Sequence, residues 1–350
     1  MSPTIKDIAK LADVSPATVS LVLNGKGEIS AKTRARVQNA ASSLKYVRRG
    51  SKNVKATGLK TLRFLKIATH GRTVNRDHNV FISDYIDGMS HQAGLSGYQL
   101  EVVNHEEQSA DDIAVSLAGS ALSGLIVLGT ELGKADIQRL QRVGVPLVVI
   151  DAYHDGLECD FVNMNNKDAL HQILFHLIER GFRHVGFIAS DVRTVNFQLR
   201  HEAFSECMKS FGLSFSPLDI VTVDSTFDGA YQDMAGKLRG GLVLPECYVS
   251  TNDIITFGCI KAFREFNLRI PQDLSIVGFD NLPMSAAMDP PLTTIDVSKR
   301  KIGSLAISLL DEQIRSTEKQ PAIKILVGAN LITRDSVVTK AAAKQAQPTG

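Results

Sequence analysis

The chain has 350 residues, of which 44% are hydrophobic and 22% are charged, values typical of a globular protein with two or three domains. It contains no apolar run of the roughly 18 residues that a membrane span needs, and no apolar leader precedes its first predicted helix. Four cysteines, Cys159, Cys207, Cys247 and Cys259, lack the paired spacing of a metal site. We therefore expect a cytoplasmic protein with reduced thiols and with no membrane segment, metal or cofactor.

The charges are distributed unevenly along the chain. Residues 1–66 carry 14 Lys and Arg and three Asp and Glu, whereas the remainder carries 25 basic and 34 acidic residues. A basic segment in front of an acidic body is typical of a nucleic-acid-binding domain joined to a second domain. A solvated charged surface is the alternative explanation for such a segment taken alone.

The first predicted elements are two short helices joined by a tight turn within residues 4–24. Thr4 can cap the first helix, with Asp7 three residues later, and Ser15 can cap the second, with Pro16 at its first position. Each helix has an apolar face, so the pair can pack together and present its second helix to a DNA major groove. Ser30 is predicted to begin a third helix that extends through Lys45.

Four motifs in this segment resemble the headpiece of the lactose-repressor (LacI/GalR) family: Thr-Ile-Lys-Asp-Ile-Ala, Val-Ser-Pro-Ala-Thr-Val-Ser, Leu-Asn-Gly and Ile-Ser-Ala-Lys-Thr-Arg. The resemblance implies that Pro16, Ala17 and Leu21 read bases. Leu21 stands where many members have Arg, and it cannot donate a hydrogen bond to guanine. The other candidates, which would contact phosphates or support those contacts, are Thr4, Ser15, Thr18, Ser20, Asn24, Ser30 and Thr33. Exposed Ser and Thr without a function are the alternative.

Residues 47–62 form a basic linker without acidic residues. The family has a short hinge helix here that orders on DNA, but this chain departs from its pattern with Arg48 and Lys55. A register shifted by four residues restores Asn53, Ala56 and Leu59, and Leu59 is then the candidate side chain that parts a base step in the minor groove. An unstructured basic tether is the alternative.

From residue 63 onward, short β-rich runs alternate with amphipathic helical segments, which predicts doubly wound parallel sheets. Because the segment has some 270 residues, we expect two Rossmann-like lobes rather than one. The predicted strands are 64–69, 99–104, 124–129, 146–151, 184–190, 220–223, 248–251 and 275–280. The main predicted helices are 83–95, 168–180, 195–211 and 254–266.

Ligands of such sheets bind beyond the carboxyl ends of the strands, which selects Thr69, Asp151, Ser190, Asn252 and Asp280. Motifs such as Thr-Asn-Asp at 251–253 and Ile-Val-Gly-Phe-Asp-Asn at 276–281 resemble the effector domain that the family shares with periplasmic sugar-binding proteins. The resemblance implies a small polar ligand between the lobes. Its candidate contacts are Phe81, Asp151, Asn196, Arg200, Phe227, Asn252 and Asp280, with Phe81 and Phe227 at the faces of a sugar ring. Helix caps, surface ion pairs and core packing are the alternative roles of these side chains.

Two further features concern the first lobe. The loop 71–78 is longer than is usual in the family, and His70, His78, His91 and His105 are spaced too irregularly for a metal site. We expect these histidines at the surface. No dinucleotide-binding, Walker or nucleophile-elbow motif is present in the sequence, which disfavours an enzyme.

The predicted organisation is a helix-turn-helix headpiece at 1–46, a hinge linker at 47–62, a two-lobed effector-binding and dimerisation domain at 63–338 and a flexible tail at 339–350. The expected function is that of a transcriptional repressor that binds operator DNA as a homodimer and responds to a small effector, most simply a sugar. A sugar phosphate or a nucleobase also fits such a cleft, and the effector could release the repressor or help it bind. A solute-binding receptor of a sugar transporter is the alternative function.

Overall fold

The computed structural model describes residues 5–23, 33, 36–37, 40–41, 60–213 and 216–340. The predictions for Thr4, Asn24, Ser30, Asn53, Ala56 and Leu59 lie outside the described residues. The chain divides into two compact units, Met1–Leu59 and Lys60–Gly350.

The N-terminal unit begins with two helices, α1 (Ile5–Ala12) and α2 (Pro16–Leu23). They are joined by a turn in which Asp13 has a φ of 48°, and the Ser15 hydroxyl accepts a hydrogen bond from the backbone N–H of Thr18 at 3.1 Å. Ile8 and Val19 are fully buried against Val37 and other small apolar side chains. This core explains the predicted helix pair, because each helix buries one apolar face.

The second unit consists of alternating strands and helices. Its strands are β1 (Lys60–Ala68), β2 (Tyr98–Glu106), β3 (Gly124–Leu128), β4 (Leu147–Ile150), β5 (Asp160–Met164), β6 (Val185–Ser190), β7 (Ile220–Val223), β8 (Cys247–Ser250), β9 (Ser275–Val277), β10 (Thr294–Val297), β11 (Lys324–Val327) and β12 (Ala329–Ile332). Its helices are α3 (Asn79–Leu95), α4 (Ala110–Leu117), α5 (Lys134–Gln141), α6 (Asn166–Glu179), α7 (Val195–Ser210), α8 (Phe227–Arg239), α9 (Asp253–Glu265), α10 (Pro283–Ala287) and α11 (Lys299–Arg315).

Lobe 1 comprises residues 60–164 and 299–327 and contains a six-stranded parallel sheet in the order β11-β5-β4-β3-β1-β2. Alternate strand residues face opposite sides of the sheet. Phe64, Ile126 and Val148 pack in the core that includes α3 and α11, whereas their neighbours in sequence pack in a second core with α4 and α5. The strands therefore read as continuous apolar runs because helices cover both faces of the sheet.

Helices α3 and α11 approach each other closely through glycine. A methyl group at Gly88 would overlap the backbone carbonyl of Arg300, and one at Gly303 would overlap that of Tyr85. The two helices can therefore pack at this distance only because positions 88 and 303 carry no side chain.

Lobe 2 comprises residues 165–298 and 329–338. Its four parallel strands have the order β7-β6-β8-β9, and β10 pairs with β12 in an antiparallel ribbon beside them. Helices α6 and α7 pack together, as do α8 and α9. The predicted α/β class with two doubly wound lobes is therefore confirmed. Four strands, β5, β10, β11 and β12, were not predicted.

Candidate effector cleft and DNA-binding helix

The two lobes face each other across a cleft at the carboxyl ends of their strands. Asp151 follows β4 and Asp280 lies just after β9, and both have left-handed backbones with φ of 60° and 114°. Residues other than Gly, Asn and Asp rarely adopt a left-handed backbone. Strained backbone of this kind concentrates at functional sites. The strand ends thus aim two carboxyl groups from opposite lobes into one space.

Asp151 is held by donors from both lobes. Its carboxylate accepts hydrogen bonds from the Tyr85 hydroxyl at 3.0 Å, the Thr130 hydroxyl at 2.5 Å and the Asn196 amide at 3.0 Å. Burial raises the pKa of Asp151, and these donors act in the opposite direction. Since Asn196 belongs to α7 of lobe 2, its bond to Asp151 joins the lobes.

Arg200 is buried at the centre of the cleft, with 3% of its surface exposed. Its guanidinium donates to Oδ1 of Asn166 at 3.0 Å and to the carbonyl of Thr251 at 2.6 Å, and it lies 3.7 Å from the ring centroid of Phe279. Burial lowers the pKa of Arg200, while the nearby Asp280 raises it. A planar cation held in this way presents its fork of donors in a fixed orientation.

Asp280 has a buried carboxyl oxygen that lacks a hydrogen-bond partner among the described residues. Its Oδ1 lies 3.6 Å from Nη2 of Arg200 and accepts no hydrogen bond from the part of the chain that the structure describes. Burial raises the pKa of Asp280 to about 7, although Arg200 opposes the shift. A buried oxygen without a partner is costly, so this atom is available to a donor supplied by a ligand.

The structure brings six of the seven predicted effector contacts to this cleft. Phe81 lies on α3 with its ring centroid 5.2 Å from that of Tyr85, and Asn252 caps α9 by accepting from Ile255. The side chains that line the cleft are Thr73, His78, Phe81, Ile82, Thr130, Asp151, Thr194, Asn196, Phe197, Arg200, Asn252 and Asp280.

Phe227 is the exception and requires a correction. It is the first residue of α8, since Thr226 caps that helix, and its ring lies 5.4 Å from Nζ of Lys261 in a different, apolar groove. Ser225, two residues earlier, is fully buried and faces lobe 1 instead. The helix cap turns the chain so that Phe227 points away from the cleft.

Sequence reasoning missed several cleft residues. His78 was expected at the surface but is 8% exposed and lies in the cleft, where its Nε2 is 3.4 Å from the amide nitrogen of Asn252. Burial lowers the pKa of His78 to about 4, so the ring is neutral at pH 7. Thr130 could have been found, because it follows the end of β3 just as Asp151 follows β4. Nothing in the local pattern pointed to His78.

The cleft is nearly filled by its own side chains. Its free volume is about 40 Å³, enough for a few water molecules, whereas small-molecule sites usually offer about 300–1,000 Å³. A ligand the size of a sugar therefore enters only when the lobes separate or these side chains move.

In the N-terminal unit, the structure describes part of the predicted DNA-binding set. Ser15 and Pro16 are exposed at the start of α2, Thr18 is half-buried, and Thr33 is half-buried in a helical segment. Ala17, Ser20 and Leu21 lie on α2, but their side chains fall outside the described residues. The start of α2 thus presents the hydroxyl of Ser15 and the ring of Pro16 at the surface.

Among the described residues, no cluster of His, Cys, Asp or Glu could hold a metal ion. None of the described helices is both long enough and apolar enough to cross a bilayer. The four cysteines are buried and unpaired.

Two family models match this chain. Residues 4–49 match the bacterial regulatory proteins of the lacI family, and residues 174–337 match the periplasmic binding protein-like domain. The HTH-type transcriptional repressor PurR of Pasteurella multocida is 29% identical over 345 residues, which cover 96% of this chain and 99% of the relative. PurR of Haemophilus influenzae is 29% identical over 339 residues, which cover 95% and 98%.

Solved structures share the fold. The Lac repressor dimer bound to operator and the anti-inducer ONPF has a TM-score of 0.69 at 22% identity, with 97% of this chain and 100% of that chain covered. The transcriptional regulator CelR in complex with cellobiose has a TM-score of 0.70 at 22% identity, with 95% and 99% covered. Since relatives matched along nearly their whole length are repressors, this protein is a DNA-binding transcriptional repressor with an effector-binding domain and is not an enzyme. The chain therefore combines a DNA-binding domain of the lacI family of bacterial regulatory proteins with a periplasmic binding protein-like domain.

Proposed function

We propose that a sugar bound in the cleft controls the affinity of this repressor for its operator. The observation that carries the proposal is the unpartnered Oδ1 of Asp280 beside the fixed guanidinium of Arg200. A carboxyl group can accept from a ligand hydroxyl while the guanidinium donates to an oxygen, so a polyol matches both. Phe81, at the same cleft, offers an apolar ring to one face of such a ligand.

Two solved structures with this fold support a sugar, since one is described as a cellobiose complex of CelR and another as a LacI family regulator from Enterococcus faecium with bound ribose. A sugar phosphate fits less well. The cleft has two carboxyl groups, Asp151 and Asp280, and one guanidinium, that of Arg200, so a phosphate would meet more acidic than basic groups. A nucleobase is the remaining candidate, because Phe81 could stack on it.

On the DNA side, we propose that α2 enters the major groove, with Pro16, Ala17 and Leu21 at the base edges. Thr4, Ser15, Thr18, Ser20, Asn24, Ser30 and Thr33 would contact or support contacts with phosphates, and the segment with Asn53, Ala56 and Leu59 would form the hinge. Specificity then depends more on phosphate contacts and DNA shape than on direct base readout, because the three reading side chains lack hydrogen-bond donors.

A homodimer would present two headpieces to two half-sites. An apolar groove on lobe 2 supports this assembly. Most of its lining comes from lobe 2, including Phe227, Ile254, Phe257 and Met284, and Asp77 and Val80 of lobe 1 complete it; Met284 is 58% exposed. Exposed apolar surface of this kind is typical of a protein–protein interface.

The effector proposal is tested by the thermal stability of the full-length protein with a panel of monosaccharides, disaccharides, sugar phosphates and nucleobases. A sugar that binds only the folded state should raise the melting temperature by about 5 °C at a hundredfold excess over its Kd. A rise with nucleobases alone would contradict the sugar proposal.

Two variants locate the binding site. Arg200→Ala should abolish the ligand-induced rise and preserve DNA binding, and Asp280→Asn, which keeps the side-chain shape, should weaken it. Arg139→Ala, at a half-buried residue that pairs with Asp111 and Asp136 on lobe 1, is the control and should leave the rise unchanged. A full rise in Arg200→Ala would place the ligand elsewhere.

The DNA proposal is tested by selecting binders from a random DNA pool, followed by a mobility-shift titration. We expect enrichment of a two-fold symmetric sequence with half-sites about one helical turn apart or a multiple of it. Enrichment of no sequence above the non-specific level would contradict it.

A further inference from the structure

The loop of residues 69–78 between β1 and α3 crosses from lobe 1 to lobe 2. Arg72 lies where the loop meets lobe 2. Its guanidinium donates to both carboxylate oxygens of Asp191 at 2.8 and 2.7 Å and also contacts the carboxylate of Asp224. Asp191 follows β6 and Asp224 follows β7, so both partners belong to lobe 2. The Ser225 hydroxyl donates to the carbonyl of Arg72 at 2.9 Å, which adds a backbone contact between the lobes.

The base of the loop is fixed to lobe 1 by one buried carboxylate. Oε2 of Glu131 accepts from the backbone N–H groups of Thr69, His70 and Gly71 at 2.8, 2.9 and 3.1 Å. Oε1 accepts from the backbone N–H groups of Thr73 and Val74 at 3.0 and 2.8 Å. Five N–H groups around one carboxylate leave the loop little freedom, so Arg72 is presented to lobe 2 in a fixed position.

The end of the loop closes onto the cleft. Nδ1 of His78 lies 3.0 Å from Oδ1 of Asn75, which can only accept, so the ring proton is on Nδ1. The bare Nε2 then faces the amide N–H of Asn252 in lobe 2, whose own oxygen is occupied in capping α9. The loop therefore contacts lobe 2 through Arg72 and His78, while Glu131 of lobe 1 binds the backbone on both sides of Arg72.

We propose that the loop of residues 69–78 is a latch that holds the two lobes together in the absence of an effector, with Arg72 as the residue that fastens it to lobe 2. The loop contacts lobe 2 at two places, through Arg72 and through His78, which itself lines the cleft, and the cleft is nearly filled by its own side chains. An effector that enters or leaves the cleft by separation of the lobes must therefore break these contacts. The latch does not depend on the chemical nature of the effector.

The test is amide hydrogen–deuterium exchange of the full-length protein without any added ligand. In Arg72→Ala, exchange of residues 191–196 and 224–227 should rise about tenfold, because the lobes separate more often once a charge-assisted, two-oxygen contact is lost. Arg72→Lys should give an intermediate rise, because one nitrogen, Nη2, makes all the contacts with the two carboxylates and an ammonium keeps that charge on a shorter side chain. Exchange in the central strands β3 and β8 should not change.

Two further variants distinguish a latch from general damage to the loop. Arg76→Ala, an exposed arginine of the same loop, is the matched control and should leave exchange unchanged. Asp191→Asn changes lobe 2 alone and weakens the contact of Arg72 with one of its two carboxylate partners, so it should give part of the rise and should add little in combination with Arg72→Ala. An unchanged exchange in Asp191→Asn, or an equal rise in Arg76→Ala, would overturn the proposal.

Discussion

Nη2 of Arg200 lies 3.6 Å from Oδ1 of Asp280, too far for a hydrogen bond, although both side chains are buried. The two groups therefore attract each other without satisfying the hydrogen-bonding capacity of the carboxyl group. Burial raises the pKa of Asp280 to about 7 in the folded protein, against a usual value of 3.8.

This shift predicts how stability depends on pH. Between about pH 4 and pH 7 the folded protein retains a proton on Asp280 that the unfolded chain has released, so the free energy of unfolding should fall as pH rises through this window. Asp253, whose pKa burial raises to about 6, contributes with the same sign. Asp280→Asn should make the decline shallower by up to about 1.4 kcal/mol per pH unit in urea unfolding.

A matched control is Asp273→Asn. Asp273 is bonded to Arg269, which lowers its pKa to about 2, and that residue should not affect the slope between pH 5 and pH 7. An unaltered slope in Asp280→Asn would show that its carboxyl group is ionised throughout.

Glu131 should be critical for the structure of the loop it anchors. Glu131→Ala leaves five backbone N–H groups without their acceptor, and we expect a loss of about 3–5 kcal/mol in the free energy of unfolding. Glu131→Gln should cost less, because one amide oxygen still accepts. Denaturant unfolding measures both, and a loss below about 1 kcal/mol in Glu131→Ala would contradict the role given to this carboxylate.

The contact between α3 and α11 predicts opposite outcomes for two glycines of one helix. Gly88→Ala should destabilise the protein by about 3 kcal/mol or more, because its methyl group would overlap the backbone of Arg300. Gly94→Ala, with open space around it, should be neutral or stabilise by about 0.5 kcal/mol. Thermal unfolding compares the two, and similar melting temperatures would contradict the close crossing.

Assembly is tested at Met284. Met284→Asp places a charge on the apolar groove of lobe 2 and should weaken self-association at least about tenfold, as measured by sedimentation equilibrium. Leu218→Asp, at a site that is 85% exposed and outside the groove, is the control and should not change association. If Met284→Asp associates as tightly as the unmodified protein, the interface lies elsewhere.

Much of the fold was predictable because buried parallel strands are apolar throughout. The strands 146–151 and 184–190 were predicted to within one residue at each end, since runs such as Leu-Val-Val-Ile leave little ambiguity. Strand β5 was missed because Asp160 and Asn163 interrupt its apolar pattern, although both are buried in the structure. Polar residues in a covered strand reflect tertiary hydrogen bonds, which a local pattern does not reveal.

The candidate cleft was predictable to a similar degree. Ligands bind at strand ends in such sheets, and this rule selected five residues. Asp151, Asn252 and Asp280 line the cleft, whereas Thr69 and Ser190 are not among its lining residues. His78 and Phe227 were misplaced, since the path of a long loop and the orientation set by a helix cap depend on contacts distant in sequence. The boundaries at residues 46, 62 and 338 stay predictions, as do the roles assigned to individual DNA-binding side chains.

The chain passes between the lobes three times, after β5, after β10 and after β11, and this route fixes the order in which a growing polypeptide can complete its parts. The parallel sheet of lobe 2 is fully synthesised once β9 has emerged from the ribosome, whereas lobe 1 still lacks α11 and its edge strand β11. Until residue 315 has emerged, the side of α3 and of the sheet that α11 covers lacks that cover. Neither lobe is therefore complete until almost the whole chain has been synthesised, because lobe 1 still needs β11 and lobe 2 still needs β12 for its antiparallel ribbon.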